Sequence, residues 1–265
     1  MDYVQAAIIG ILRGITEWLP VNSSGQVMFA AMNAFGITPE EAHSYTILIQ
    51  MGALLALFYR FRYDFGKILM NLLTLRWGEE ESFLFYSTLF TAVVGLPLYR
   101  AFGGFSDSST PEIINGLIGA ALIATGLMMR APLERVERGI RSRKEDVTVV
   151  DAIIAGVAQG ASFIPGISRS GMTIGALLFL GVDRRKAVRM SFLMAIFAIT
   201  GALFIEGESV AQPVPLSLTA VLSSFAVSLL MMEVILRLAE KLDFSRFCML
   251  FGAVALIAAV MGVLL

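Results

Sequence analysis

Glu17-Trp18-Leu19-Pro20-Val21-Asn22-Ser23-Ser24-Gly25-Gln26 breaks an apolar run at 4–36, and Pro165-Gly166-Ile167-Ser168-Arg169-Ser170-Gly171-Met172-Thr173 breaks another at 150–181. Proline stops a helix. The apolar flanks that remain, roughly 12–14 residues each, are too short to cross about 30 Å of hydrocarbon at 1.5 Å per residue. The two regions therefore read as helix–break–helix hairpins that enter and leave a bilayer on one side.

Six further stretches, near 40–60, 83–102, 112–130, 187–206, 215–236 and 245–265, are long and apolar enough to span. The composition agrees, with 57% hydrophobic and 15% charged residues, against about 25% charged in a soluble domain. A net charge of -1 argues against a nucleic-acid partner. The single cysteine, Cys248, excludes an intramolecular disulfide framework, and one Cys with one His cannot build a zinc-type cluster. The opening MDYVQAAIIGILRG has neither a basic n-region nor a small-residue cleavage site, so it is expected to belong to the mature fold.

The hairpin regions also look like copies. At an offset of 145, Pro20 matches Pro165, Ser23 matches Ser168, Gly36 matches Gly181, Ala42 matches Ala187, and Thr46 matches Ser191. Thr38 and Asp183 align as N-caps of the following spans, the first with Pro39 at N1 and Glu41 at capping-box spacing. The segments 60–82, 130–149, 183–189 and 237–246 hold 17 of the 20 Lys and Arg, and 103–111 and 206–214 hold none. The positive-inside rule makes the first four cytoplasmic. Both termini then lie outside, and the hairpins enter from opposite faces. The expected fold is an all-α polytopic membrane protein. Six transmembrane helices and two re-entrant hairpins form an inverted repeat, over one domain at 1–265. The repeats cover approximately 1–131 and 150–265, joined by a basic cytoplasmic loop at 132–149.

Backbone broken inside a membrane must lie in protein or against a wet cavity. The half-helices that restart near Ser23 and Ser168 present N–H groups and the positive end of a dipole, a site for an anion. Ser23, Ser24 and Gly25 gather at one start, and Ser168, Ser170, Gly171 and Thr173 at the other. Arg169 adds a planar charged fork suited to phosphate. The plainer alternative for Arg169 is an ion pair with Glu17 that ties the hairpins together. Glu17 and Arg13 share a helix face four residues apart. Glu17 can thus be a general base, a ligand for a divalent cation, or the partner of Arg13. Gln50 and Gln159 read as buried amides bonding across helices. His43 reads as interfacial, Glu206 and Glu208 as solvated loop charges, and Glu233 as paired or snorkelling. Gly171 with Gly175, and Gly116 with Gly119, read as close helix contacts, and Arg138 to Lys144 as a positive-inside determinant.

Gly14-Ile15-Thr16-Glu17-Trp18-Leu19-Pro20-Val21-Asn22-Ser23-Ser24-Gly25 and the segment Pro165–Thr173 resemble the undecaprenyl-diphosphatase (bacitracin-resistance) family of membrane phosphatases. The resemblance implies six spans and two hairpins. It also implies removal of the terminal phosphate from a polyprenyl diphosphate, which regenerates a monophosphate carrier for cell-envelope synthesis. Two positions depart from the family pattern: Arg13 stands where Glu or Gln is usual, and Gln26 where a histidine is usual. On this basis Glu17, Ser23 and Arg169 are expected to be catalytic. Arg13, Ser24, Gly25, Gln26, Gly166, Ser168, Ser170 and Thr173 are expected to bind substrate. Glu17 is also a candidate ligand for Mg²⁺ or Ca²⁺. The expected partners are an isoprenoid lipid diphosphate and the bilayer, with no nucleic acid; a homodimer is compatible. The expected setting is the cell membrane, multi-pass. The alternative function is a translocase or transporter of a lipid phosphate or small anion, for which broken helices in inverted repeats are the usual architecture.

Overall fold

The computed structural model describes residues 1–102, 144–164, 167–206 and 214–239, with scattered positions at 116–130 and 241–260. These hold helices α1 (Tyr3–Thr16), α2 (Ser23–Phe35), α3 (Pro39–Arg60), α4 (Arg62–Leu73), α5 (Glu79–Phe102), α6 (Val149–Ala161), α7 (Arg169–Phe179), α8 (Arg184–Glu206) and α9 (Val214–Leu238). Among the described residues, extended structure is limited to an isolated bridge between Lys144 and Val182.

Among the described residues, four helices are long and apolar enough to cross a membrane: Pro39–Arg60, Glu79–Phe102, Arg184–Glu206 and Pro215–Leu238. The expected spans at 112–130 and 245–265 lie largely outside the described residues. Where positions are described, the two approach closely: a Cβ on Gly119 would sit 2.7 Å from the Gly252 carbonyl oxygen. The segment 60–82, expected as a loop, instead contains α4. Its Phe65 and Ile68 pack on the core while Asp64 and Lys67 keep it too polar to span.

Both hairpins break where the prolines stand. α1 ends at Thr16 and α2 restarts at Ser23 behind the N-cap Asn22, whose side chain accepts from Gly25 N at 3.3 Å. α6 ends at Ala161 and α7 restarts at Arg169 behind the N-cap Ser168, which accepts from Gly171 N at 3.2 Å. At 14 residues α1 rises about 21 Å, short of a span. The second restart falls one residue later than the repeat offset, so Ser23 stands opposite Arg169 as first helical residue rather than opposite Ser168. The offset is recovered at Gly36 and Gly181, both left-handed at φ 63° and 85°, where a side chain would be strained.

Each short first helix packs against a long one in parallel. Gly10 faces Ala220 and Gly14 faces Ser224 and Val227, so α1 and α9 run the same way. Gly156 faces Ser87 and Gly160 faces Thr91 and Val94, so α6 and α5 do too. A Cβ at Gly10 would lie 2.3 Å from the Ala220 carbonyl, a distance only a bare backbone allows. At the other end, Arg60 on α3 pairs with Glu233 on α9 at 3.2 Å. Arg189 on α8 bonds Asp64 of α4 and Glu80 of α5, Lys186 pairs with Glu79, and Glu79 accepts from Val147 N. The end of α9 therefore lies on the same side as the starts of α5 and α8. It follows that α1 and α6, each parallel to its partner, point in opposite directions.

The core sits between these ends, with Trp18 of the first break buried edge-on against Phe192 of α8 at 5.0 Å between ring centres. That contact fixes the first break against α8, the helix that follows the second hairpin.

Candidate active site

Glu17 ends α1 and points its carboxylate into the join between the hairpins. Oε1 accepts from Arg169 Nη2 at 3.0 Å, and Oε2 accepts from Ser23 Oγ at 2.8 Å. Arg13 Nε lies 2.8 Å from Oε2 as an ion pair whose N–H is not aimed along the contact. Arg13 Nη1 donates instead to Ser24 Oγ at 2.9 Å. Arg13 and Glu17 are 1% and 5% exposed, so this is an ionic centre taken almost wholly out of water.

The second hairpin is clamped to the first. Ser170 Oγ donates to the Leu19 carbonyl at 2.6 Å and lies 3.3 Å from Ser168 Oγ. Gly171 stands against Pro20, leaving only 3.3 Å for a Cβ. Thr173 Oγ1 donates to the Arg169 carbonyl at 3.0 Å and meets Ser191 Oγ at 2.5 Å. These bonds fix the turn that carries Arg169. The guanidinium itself keeps Nη1 buried with no partner among the described residues. A buried charged donor left unmatched costs at least about 1–3 kcal/mol, so Nη1 is poised for an acceptor brought from outside.

Most of the expected site residues thus meet in one place: Arg13, Glu17, Ser23 and Ser24 from the first hairpin, and Ser168, Arg169 and Ser170 from the second. Thr173 is fully engaged within the fold and positions Arg169. Gly25 supplies its N–H to Asn22. Gln26 is exposed on α2, outside this chain of contacts. Gly166 lies outside the described residues. Gln159 ties α6 to α5 by donating to Thr91 Oγ1 at 3.1 Å, away from the centre. Glu206 is not a solvated loop charge: it ends α8, half-buried, and accepts from the Tyr99 hydroxyl. Glu208 lies outside the described residues. Asn22 as cap was legible from an Asn followed by a hydroxyl-rich helix start. Ser191 and Thr91 carry no local signal, because their roles arise only when α8 and α5 pack.

The donor set does not suit a divalent cation. Ca²⁺ takes about 6–8 oxygen ligands and Mg²⁺ an octahedron of them. Here one carboxylate is shared by two guanidinium groups and a hydroxyl, and the described residues hold no group of three or more His, Cys, Asp or Glu able to grip a metal.

The family model for the bacitracin resistance protein BacA matches residues 6–257. This chain belongs to the BacA family. It is 42% identical over 258 residues to an undecaprenyl-diphosphatase of Methanopyrus kandleri, covering 95% of this chain and 94% of that protein. An undecaprenyl-diphosphatase of Methanothrix thermoacetophila is 36% identical over 263 residues, with 97% and 96% covered. One of Sulfurisphaera tokodaii is 31% identical over 278 residues, with the full length of both chains covered. The likeness seen first in two motifs therefore runs along the chain almost end to end.

Proposed function

We propose that this chain hydrolyses an undecaprenyl-like isoprenoid diphosphate to the monophosphate carrier lipid and phosphate, at the centre where its two hairpins meet. The observation that carries this is the contact set around Glu17. It has a hydroxyl already hydrogen-bonded to a carboxylate, beside a guanidinium with an unmatched buried N–H.

Arg169 and the N–H groups at the starts of α2 and α7 take the oxygens of the terminal phosphate. Moving onto phosphate, Arg169 withdraws one cation from Glu17 and leaves the carboxylate more able to accept a proton. Ser23 Oγ attacks phosphorus, its proton passes to Glu17 Oε2, and the bond to the bridging oxygen breaks, so that the isoprenoid monophosphate leaves. Glu17 passes that proton to the departing monophosphate and is a carboxylate again. Water then attacks the phosphoseryl phosphorus, Glu17 takes the water's proton, and it returns a proton to Ser23 Oγ as the P–Oγ bond breaks and phosphate is freed. Positioning and charge stabilisation supply most of phosphoryl-transfer catalysis, which suits a centre built from fixed cations and helix starts.

The six-span, two-hairpin inverted repeat over 1–131 and 150–265 belongs to the same proposal. The opposed directions of α1 and α6 support it, and so do the basic segments that converge at one end. Those segments also favour a cytoplasmic membrane setting with that end inside and both termini outside; a homodimer is compatible. The phosphatase names of the relatives do not favour the transport alternative. Phosphate release from a C55 diphosphate by the purified protein in detergent tests the proposal. Release that falls steeply in Ser23→Ala supports it, and a native protein that releases none from prenyl diphosphates of several lengths would overturn it.

A further inference from the structure

The polar centre holds two arginines and one carboxylate, with Arg13 and Glu17 buried and Arg169 half-buried, and this charge count has a chemical consequence. A carboxylate offers about four lone-pair positions. On Glu17 two are taken by Arg169 Nη2 and Ser23 Oγ, and Arg13 Nε stands 2.8 Å from Oε2 as an ion pair. Arg13 cannot swing aside easily. It is 1% exposed, its Nη1 is held by Ser24 Oγ at 2.9 Å, and its helix is locked to α9 through Gly10 and Gly14. A divalent cation arriving at Glu17 would have to displace these donors and sit beside the positive charges of Arg13 and Arg169. A diphosphate arriving there meets the opposite situation: its negative charge offsets the surplus cation.

We infer that the guanidinium of Arg13 does at this centre what a bound divalent cation would otherwise do, so that the chain acts on its diphosphate without a metal at Glu17. The inference rests on the proposed phosphatase activity. Its physical core is a fixed +1 group, already desolvated, beside both the carboxylate and the start of α2. The helix start presents N–H donors to the phosphate, and Arg13 adds charge through Ser24 without moving. An arginine is never deprotonated in a protein, so the cation is permanent.

The test uses purified full-length protein freed of metal, with a C55 diphosphate in detergent, in excess EDTA or with millimolar Mg²⁺ or Ca²⁺. Bound Mn²⁺ is measured separately by electron paramagnetic resonance. The native protein is expected to turn over within about twofold in EDTA and in metal, and to hold no Mn²⁺ at the centre. Arg13→Glu places a second carboxylate one turn from Glu17. It is expected to acquire a Mn²⁺ site and to lose at least tenfold in EDTA, with recovery on adding metal. Arg13→Gln, which removes the cation without adding a ligand, is expected to be slow in both conditions while unfolding at a temperature near that of the native protein. Native turnover abolished by EDTA, or one tightly bound Mn²⁺ per native chain that Glu17→Gln removes, would overturn the inference. So would full chelator-resistant turnover in Arg13→Gln. If the native chain hydrolyses no diphosphate in either condition, the phosphatase proposal fails, and the Mn²⁺ titration of native and Arg13→Glu protein still decides whether the centre rejects a metal.

Discussion

Replacing Arg169 by alanine is the sharpest perturbation of the centre, and its size follows from two nitrogen atoms. Nη2 holds Glu17 at 3.0 Å, and Nη1 is buried without a partner. With both turned to a transferring phosphoryl group, two charge-assisted hydrogen bonds of about 1.5–3 kcal/mol each are lost on truncation. That sums to about 3–6 kcal/mol, or a fall of roughly 10²–10⁴ in turnover, overlapping the range of about 10³–10⁵ for arginines that meet a phosphoryl transition state. Folding should suffer far less. Breaking a buried ion pair costs about 3–5 kcal/mol when it strands a charge, but Glu17 keeps Arg13 and Ser23. Phosphate release measured at saturating lipid diphosphate, on protein whose thermal unfolding in detergent is compared with the native, separates the two effects. Arg169→Lys should recover no more than about tenfold of the loss, since an ammonium cannot span two oxygens in a plane. An inserted, folded Arg169→Ala protein with turnover within about tenfold of native would refute the placing of Arg169 on the phosphate.

Glu17→Gln should lower turnover by about 10²–10⁴, the usual worth of a general base, while lipid-diphosphate binding in an equilibrium assay persists. Unchanged turnover would remove Glu17 from the proton path. In a Cys248→Ala background, Glu40→Cys should react with an impermeant maleimide added to sealed cells, and Arg76→Cys only after permeabilisation; the reverse pattern would invert the topology. Gly10→Ala should lower the unfolding temperature, because its Cβ meets the Ala220 carbonyl at 2.3 Å and overpacking costs about 1–3 kcal/mol. Gly66→Ala, within α4 with nothing inside 4 Å, should raise it by the equivalent of about 0.5–1 kcal/mol. Equal shifts for the two would undo the account of the α1–α9 contact.

The helix–break–helix pattern was legible because proline and a polar cluster inside an apolar run leave little choice, and the four long apolar helices were legible from length and hydropathy. These helices run two to four residues further into the charged segments than hydropathy suggests, since Glu79, Arg184 and Arg237 extend helices whose charges pair at the ends. The helix α4 was missed because its Tyr63, Leu69, Met70 and Leu73 alternate with enough charge to resemble a loop. At the centre, the i,i+4 pair of Arg13 and Glu17 could be read from spacing, and the pairing of Glu17 with Arg169 could be named as an alternative. The bond from Ser170 to the Leu19 carbonyl and the contact of Thr173 with Ser191 could not. They join segments far apart in the chain, and a hydroxyl in a serine-rich stretch reads equally well as ligand or as clamp. Glu206 was misjudged for a related reason, because only the packing of α8 beside α5 brings Tyr99 to it.

The ion pair between Glu17 and Arg169 and the proposed chemistry are not rival accounts of the same residues. The second hairpin has no counter-charge of its own for Arg169: the carboxylate lies on the first, already beside Arg13, and Arg169 meets it at 3.0 Å only when both half-helices are in place. A phosphate that draws Arg169 away must therefore loosen the bond that joins the hairpins. What keeps the centre from losing its charge balance at that moment is Arg13, which stays beside Glu17 at 2.8 Å on the same helix and does not depend on the second hairpin. Ser170 and Gly171 meanwhile keep the two breaks in contact through Leu19 and Pro20, so Arg169 can exchange partners without the hairpins separating. The pair thus holds Nη2 while Nη1 stays unmatched, and in the proposed reaction the substrate opens it by offering the guanidinium a better-matched anion.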